Sequence, residues 1–171
     1  MVRACSWARH MIGRARDIIA SLNLRGHPEG GYFAEVFRSP TLVKPSDERS
    51  NRPSMTSIDF LLVCGEHSKW HELRSDEVWH HCEGDPLELF VVDPASMKLT
   101  RLLLGPLAGD QKPVHVVPAG HWQAARTLGD YTLVGTTVAP GFVFEDFRLL
   151  RENKQEAARL RGALGVLEDL L

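Results

Sequence analysis

Apolar residues along this chain recur in two rhythms. From Ala8 to Leu22 they fall near helical spacing, at Ile12, Ala15, Ile18, Ile19 and Leu22. That spacing predicts an amphipathic helix, ended by Asn23, Gly26 and Pro28. Gly30-Gly31 then opens a predicted strand, Tyr32 to Arg38. From Met55 to Leu150 the rhythm becomes short runs separated by turn residues. The predicted strands are residues 55–64, 68–73, 77–82, 86–92, 98–104, 113–117, 121–126, 131–138 and 144–150. Turn signals stand between them at Gly65, Gly84-Asp85-Pro86, Asp93-Pro94, Gly105-Pro106, Pro118-Ala119-Gly120 and Pro140-Gly141. Many short strands at even spacing predict an all-β sandwich or barrel. From Asn153 to Leu171 helical spacing returns, with Ala157, Leu160, Leu164, Leu167 and Leu170 near one face. Between the first strand and the β region, Ser39 to Pro53 is rich in Pro, Ser, Asp and Arg. Its length and polarity predict a mobile flap or an interface arm.

Composition narrows the function classes. The 171 residues suffice for one domain with a full core. Twenty basic and 22 acidic residues leave a net charge of −2, so no polyanion-binding character shows and no nucleic-acid partner is expected. No apolar run is long enough to span a bilayer, and no membrane partner is expected. Cys5, Cys64 and Cys82 form a sparse, odd set without C-x-x-C spacing. That predicts a reduced, cytoplasmic setting with buried thiols, Cys82 a small core residue. Met1 to Arg16 carries four arginines, and its first acid, Asp17, comes directly after. This is read as a helical extension, a mitochondrial targeting segment being the alternative.

The densest chemistry lies between Gly65 and Gly84. His71 follows Gly65 by six residues, Glu77 follows by six more, and Gly84 by a further seven. The spacing resembles the first motif of the cupin superfamily, G-x5-H-x-H-x3-E-x6-G, with Leu73 in place of the second histidine. Pro118-Ala119-Gly120-His121-Trp122-Gln123 resembles the second motif, with Gln123 at its histidine and Lys112 at its leading glycine. The phrases His27-Pro-Glu-Gly-Gly-Tyr32, Ser68-Lys-Trp-His71, Asp76-Glu-Val-Trp-His80, Val117 to Gln123, Leu133 to Phe142 and Phe144-Glu-Asp-Phe147 resemble, in order, the DUF985 (cupin_5) branch. The resemblance implies a cupin double-stranded β-helix, an all-β jelly-roll barrel with short N- and C-terminal helices. The expected division is an N-terminal extension (1–26), the barrel (27–150) and a C-terminal helix packed on it (151–171). A homodimer is also implied.

Strand alternation, read in the cupin register, points His71, Glu77, Trp79, His81 and Gln123 into the barrel. His71 and Glu77 are the expected catalytic pair, exchanging a proton at a carbon beside a carbonyl, as in an isomerase or epimerase acting on a sugar or hydroxy-acid derivative. The partner is then a small molecule such as a sugar or nucleotide sugar. Tyr32, Arg38, Lys69, Trp79, Gln123 and Phe144 are the expected substrate contacts. The run Gly30 to Arg38 resembles the early strand of sugar-nucleotide epimerase cupins, and an arginine at a pocket mouth can clamp an anionic group. Two other readings stand beside this one. His71, Glu77, His81 and Gln123 are a candidate ligand set for iron, manganese, nickel or zinc, with His81 replacing the lost histidine. The altered ligand positions equally suit a non-catalytic binding module.

Overall fold

The computed structural model describes residues 9–170. Helix α1 (Arg9–Ser21) is followed by β1 (Arg25–Gly26), β2 (Tyr32–Arg38), β3 (Leu42–Val43) and β4 (Arg52–Pro53). Then come β5 (Thr56–Val63), β6 (His67–Leu73), β7 (Asp76–Gly84), β8 (Leu87–Asp93) and β9 (Lys98–Leu104). The last elements are β10 (Val114–Val117), β11 (Trp122–Thr127), β12 (Tyr131–Ala139), β13 (Phe147–Leu149) and helix α2 (Lys154–Leu164). Two antiparallel sheets face each other, one ordered β1-β2-β5-β12-β7-β10 and the other β13-β6-β11-β8-β9. This is the jelly-roll barrel expected from the sequence.

The predicted elements match closely, with two revisions. The C-terminal helix expected from Asn153 is α-helical only to Leu164, and a 3-10 turn continues it over Gly165–Leu170. The segment 144–150 is not one strand: a 3-10 turn at Phe144–Asp146 precedes the three residues of β13, and a second turn follows. Asp146, at the end of the first turn, turns inward and accepts from the buried Arg49 and Arg52.

The barrel interior is packed at one end only. Phe60, Leu62, Leu87, Leu89, Leu104, Val117 and Val134 fill it, with Trp79 at their upper boundary. Each outer face is covered by a helix. Ala15 and Ile18 of α1 pack on Leu61 and Tyr131 of the first sheet. Ala157 and Leu160 of α2, with Leu167 and Leu170 of the 3-10 turn after it, cover Trp70, Phe90 and Trp122 of the second. Trp70 and Trp122 are core residues of that outer layer, as expected for tryptophans at alternating strand positions.

Cys82 is exposed and free, contrary to the expectation of a core position, because it is the bulged residue between His81 and Glu83 in the β7–β12 ladder. Cys64 is half-buried and disulfide-bonded, which does not fit the reading of three reduced thiols. The first eight residues, half of the candidate targeting segment, lie outside the described residues. No helix among the described residues is long and apolar enough to cross a membrane.

The polar segment 39–53 is not a free flap. Arg49 and Arg52 within it are buried, and both donate to the Asp146 carboxylate, Arg52 through Nε at 2.8 Å and Nη2 at 3.1 Å. Arg49 also donates to Ser75 Oγ at 3.1 Å. These bonds tie the segment to the turn that carries Phe144 and Phe147, and so fix one wall of the open barrel end.

Candidate active site inside the barrel

The unpacked end of the barrel is a cavity of about 470 Å3, walled by both sheets and open at its rim. His71, Glu77 and Trp79 line it, together with His27, Glu29 and Phe147. His71 and Glu77 come from opposite sheets, His71 on β6 and Glu77 on β7.

A β-bulge builds the histidine corner. In the β6–β11 ladder His71 pairs with Gln123, but Ala125 pairs with Ser68. The extra residue in β6 brings Ser68 and His71, three apart in sequence, to the same face. Lys69 sits in the bulge and serves the site through its backbone. Its N–H donates to Glu29 O at 2.8 Å and its carbonyl lies 2.8 Å from His71 Nδ1. That second contact assigns the Nδ1–H tautomer to His71 and leaves Nε2 directed at Glu29 Oε2, 3.4 Å away. Ser68 Oγ donates to Glu29 Oε1 at 2.9 Å. His27 Nδ1 lies 3.5 Å from the same Glu29 carboxyl.

Glu29 owes its position to the two glycines after it. Gly30 and Gly31 hold φ of +110° and +71°, a backbone region costly for any side chain. A Cβ on Gly30 would stand 2.3 Å from the His67 carbonyl oxygen. Gly30→Ala is therefore expected to destabilise the fold by about 1–3 kcal/mol and to displace Glu29. Urea unfolding checks the first effect, and loss of the Glu29-dependent pH response described below checks the second.

On the other sheet, Gln123 Nε2 donates to Glu77 Oε2 at 2.6 Å, while Gln123 Oε1 accepts from Trp79 Nε1 at 3.1 Å. Both ends of the Gln123 amide are thus taken within the protein. It orients Glu77 instead of facing a substrate, as was expected of it.

Burial dominates the electrostatics. It pushes the Glu29 carboxyl up to about 8, against a lowering hydrogen bond from Ser68. It also raises Glu77, although His71 nearby and the Gln123 and Thr136 hydrogen bonds pull the other way. Burial lowers His71, against the opposing pull of Glu77, and takes His27 down to about 4 with help from the charge of His71. Water-poor surroundings thus favour the uncharged form of all four groups.

Other expected site residues are placed differently. Tyr32 lies on the outer face of β2, packed with the α1 cluster, and its hydroxyl donates to Glu66 at 3.5 Å. Alternation sends its neighbour Phe33 inward instead. Arg38 does reach the rim, because a bulge at Val36 in the β2–β5 ladder turns it to the side of Phe33 and Glu35. There it pairs with Glu35 and donates to the Phe142 carbonyl at 3.0 Å. Phe144, also on the rim, is 61% exposed and makes an edge contact with Phe142 at 5.1 Å. The Lys69 side chain does not line the cavity. His81 does not join His71 and Glu77. It shares a strand with Glu77, but four residues of strand span about 13 Å, and its Nε2 lies 3.2 Å from the Gly84 carbonyl.

Sequence reasoning did not put His27, Arg25, Phe33 or Ser68 among the site residues. The signal for His27 was its place three residues ahead of the Gly30-Gly31 pair, which marks a turn where backbone and ligand-facing side chains crowd together.

Barrel and cavity define a cupin-type fold. The chain belongs to the cupin superfamily, in the group described as Cupin_5 (DUF985), whose model matches residues 16–150. Solved structures agree. A protein from Shewanella oneidensis is 39% identical with a TM-score of 0.72, the match covering 79% of this chain and 83% of that one. A hypothetical protein from Leishmania major is 32% identical with a TM-score of 0.74, covering 85% and 95%. Oxalate decarboxylase from Bacillus subtilis shares the fold, with a TM-score of 0.57 at 13% identity, covering 90% of this chain and 38% of that one. No curated protein matches the chain significantly.

The metal that cupin motifs hold needs several convergent donors. Here Leu73 offers none, Gln123 is turned to Glu77 and Trp79, and His81 is remote. Among the described residues no group of three or more His, Cys, Asp or Glu is arranged to hold a metal ion. The residues present do not fit the cupin metal site, nor the ligand set of His71, Glu77, His81 and Gln123 expected from the sequence.

Proposed function

We propose that this protein is a small-molecule enzyme of the isomerase or epimerase kind, moving a proton at a carbon beside a carbonyl inside the barrel. One observation carries the reading: buried carboxyls and an imidazole with an unprotonated Nε2 line the same cavity. Burial brings Glu29 to about 8, near physiological pH, where an acid or base works best, and raises Glu77 above the ordinary carboxylate value.

The roles follow from the hydrogen bonds. His71 Nε2, unprotonated while Nδ1–H holds the Lys69 carbonyl, takes the proton from the substrate carbon. The Glu77 carboxyl, in its protonated form, gives its proton to the carbonyl oxygen as the enol forms. On a substrate with a hydroxyl at the carbon beside the carbonyl, delivering the His71 proton to the former carbonyl carbon, and the proton of that hydroxyl to the ionised Glu77, forms the new carbonyl and completes an isomerisation with every proton accounted for. The neutral Glu29 carboxyl, 3.4 Å from His71 Nε2, accepts from the protonated ring through its carbonyl oxygen. Trp79 and Gln123 hold Glu77 in place through their chain of hydrogen bonds.

The test is solvent deuterium exchange. A panel of 2-oxo acids, 2-hydroxy acids and keto sugars, incubated with the protein in D2O, is expected to show label at the carbon beside the carbonyl for at least one member, read by proton NMR. Exchange with none of them, alongside saturable binding of some, would replace the enzyme by a binding protein. Leu73 and Gln123 at ligand positions of the cupin motifs are what would favour that second reading.

A further inference from the structure

We propose that Arg25 anchors the carboxylate of the ligand, and that the ligand is a small monocarboxylic acid with a flat, apolar body. The inference rests on the cavity being the ligand site, but not on proton transfer within it.

Two arginines line the cavity. Arg38 is already engaged by Glu35 and by the Phe142 carbonyl. Arg25 is exposed and, among the described residues, has no carboxylate partner. Its recorded contact is with the face of the Phe33 ring, 5.0 Å from guanidinium to centroid. The register explains this contact, since Arg25 and Phe33 are directly opposite in the β1–β2 ladder and share a face. Stacking on a ring fixes the plane of a guanidinium and leaves its N–H edge open.

The other charged rim groups do not compete for that edge. Glu35 is held by Arg38. Glu145 lines the rim on the turn at Phe144–Asp146, where it is exposed and its charge is screened by water. Deeper in the cavity, Glu29 stays protonated at neutral pH, so its carboxyl does not repel an anion. The net result is one arginine without a carboxylate partner at the mouth and a neutral Glu29 carboxyl beneath.

Charge number and shape then select the ligand. A single guanidinium fork matches the two oxygens of a carboxylate, whereas a dianionic phosphate would call for a second free cation. From Arg25 the wall runs inward as aromatic rings. Phe33 meets His27 edge-on at 4.5 Å, and Phe142 and Phe147 stand 6.1 Å apart. Such walls and a volume near 470 Å3 suit a ring-sized apolar body.

Binding of benzoate, benzamide and phenyl phosphate to the full chain at pH 7, followed by ligand-observed NMR and calorimetry, tests this. Benzoate is expected to bind, benzamide about tenfold more weakly or worse, and phenyl phosphate no more tightly than benzoate. Arg25→Met should bring benzoate down to the benzamide level and leave benzamide unchanged, with Arg25→Lys in between. Arg25 is exposed, so unchanged thermal unfolding is expected for both variants. Failure of benzoate to bind, equal binding of benzoate and benzamide, benzoate affinity that survives in Arg25→Met, or a clear preference for phenyl phosphate would each overturn the inference. Arg25-dependent benzoate binding without deuterium exchange on any substrate would remove the enzyme reading and leave this one standing.

Discussion

Wild-type protein is expected to lose stability between pH 6.5 and 8, and Glu29→Gln to remove most of that loss. Burial pushes the folded Glu29 carboxyl up to about 8, from an ordinary value of 4.5. Its contribution is therefore fully present at low pH and is lost as pH rises through the folded value. Across the window the unfolded chain has already released this proton while the folded chain still binds it. Each pH unit then costs up to about 1.4 kcal/mol, or about 2 kcal/mol over the window. Glu77, also raised by burial, acts in the same direction.

Below pH 6.5 the histidines oppose this trend. His27 is taken down to about 4, so its contribution is present above the ordinary imidazole value and is lost as pH falls. His71, lowered by burial as well, adds to that loss. The two trends offset each other from about pH 4.5 to 6.5, and the decline is exposed only above that. Glutamine suits the position, because its oxygen can accept from Ser68 while its amide faces the nitrogens of His71 and His27. Urea unfolding at several pH values decides the matter. A wild-type curve that stays flat above pH 6.5, or a Glu29→Gln curve with the same slope, would refute the buried-carboxyl account.

Glu77→Gln is expected to lower deuterium exchange at least 100-fold while retaining ligand binding. An amide cannot donate and take back the carboxyl proton, so the carbonyl oxygen loses its acid. Packing is conserved, since the new side chain still offers an oxygen to Gln123 Nε2. Removing a buried ionisable group also relieves a desolvation cost, so the variant should be no less stable than wild type. Loss of exchange together with unfolding would say nothing about chemistry, so thermal unfolding belongs in the same experiment. Exchange that persists in this variant would mean that Glu77 carries no proton in the reaction.

The candidate site was legible in the sequence as far as strand alternation holds. His71, Glu77 and Trp79 stand in regular stretches of β6 and β7, and alternation aims all three into the cavity as read. Reading failed at the bulges. An extra residue in β6 brought Ser68 round to His71, and another at Val36 parted Arg38, which reaches the rim as expected, from Tyr32, which was expected on the same face and lies outside. Nothing in residue type announces a bulge in a ladder whose partner strand is distant in sequence. Distance along a strand was the other failure. His81 shares a strand with Glu77, but extended chain separates every fourth residue too far for shared coordination.

Hydrophobic rhythm and turn residues alone determined the two helices, the succession of short strands and, with the motif spacing, the barrel they form. Those features are local: they depend on which side of a strand or helix must leave water. What only the tertiary structure decided is the company each polar group keeps. Glu29, from the turn before β2, meets His71 from β6, and Gln123 of β11 reaches across to Glu77 of β7. Burial by elements far apart in the chain shifts the titration of Glu29, His71 and Glu77, and that burial exists only once the two sheets have closed on each other.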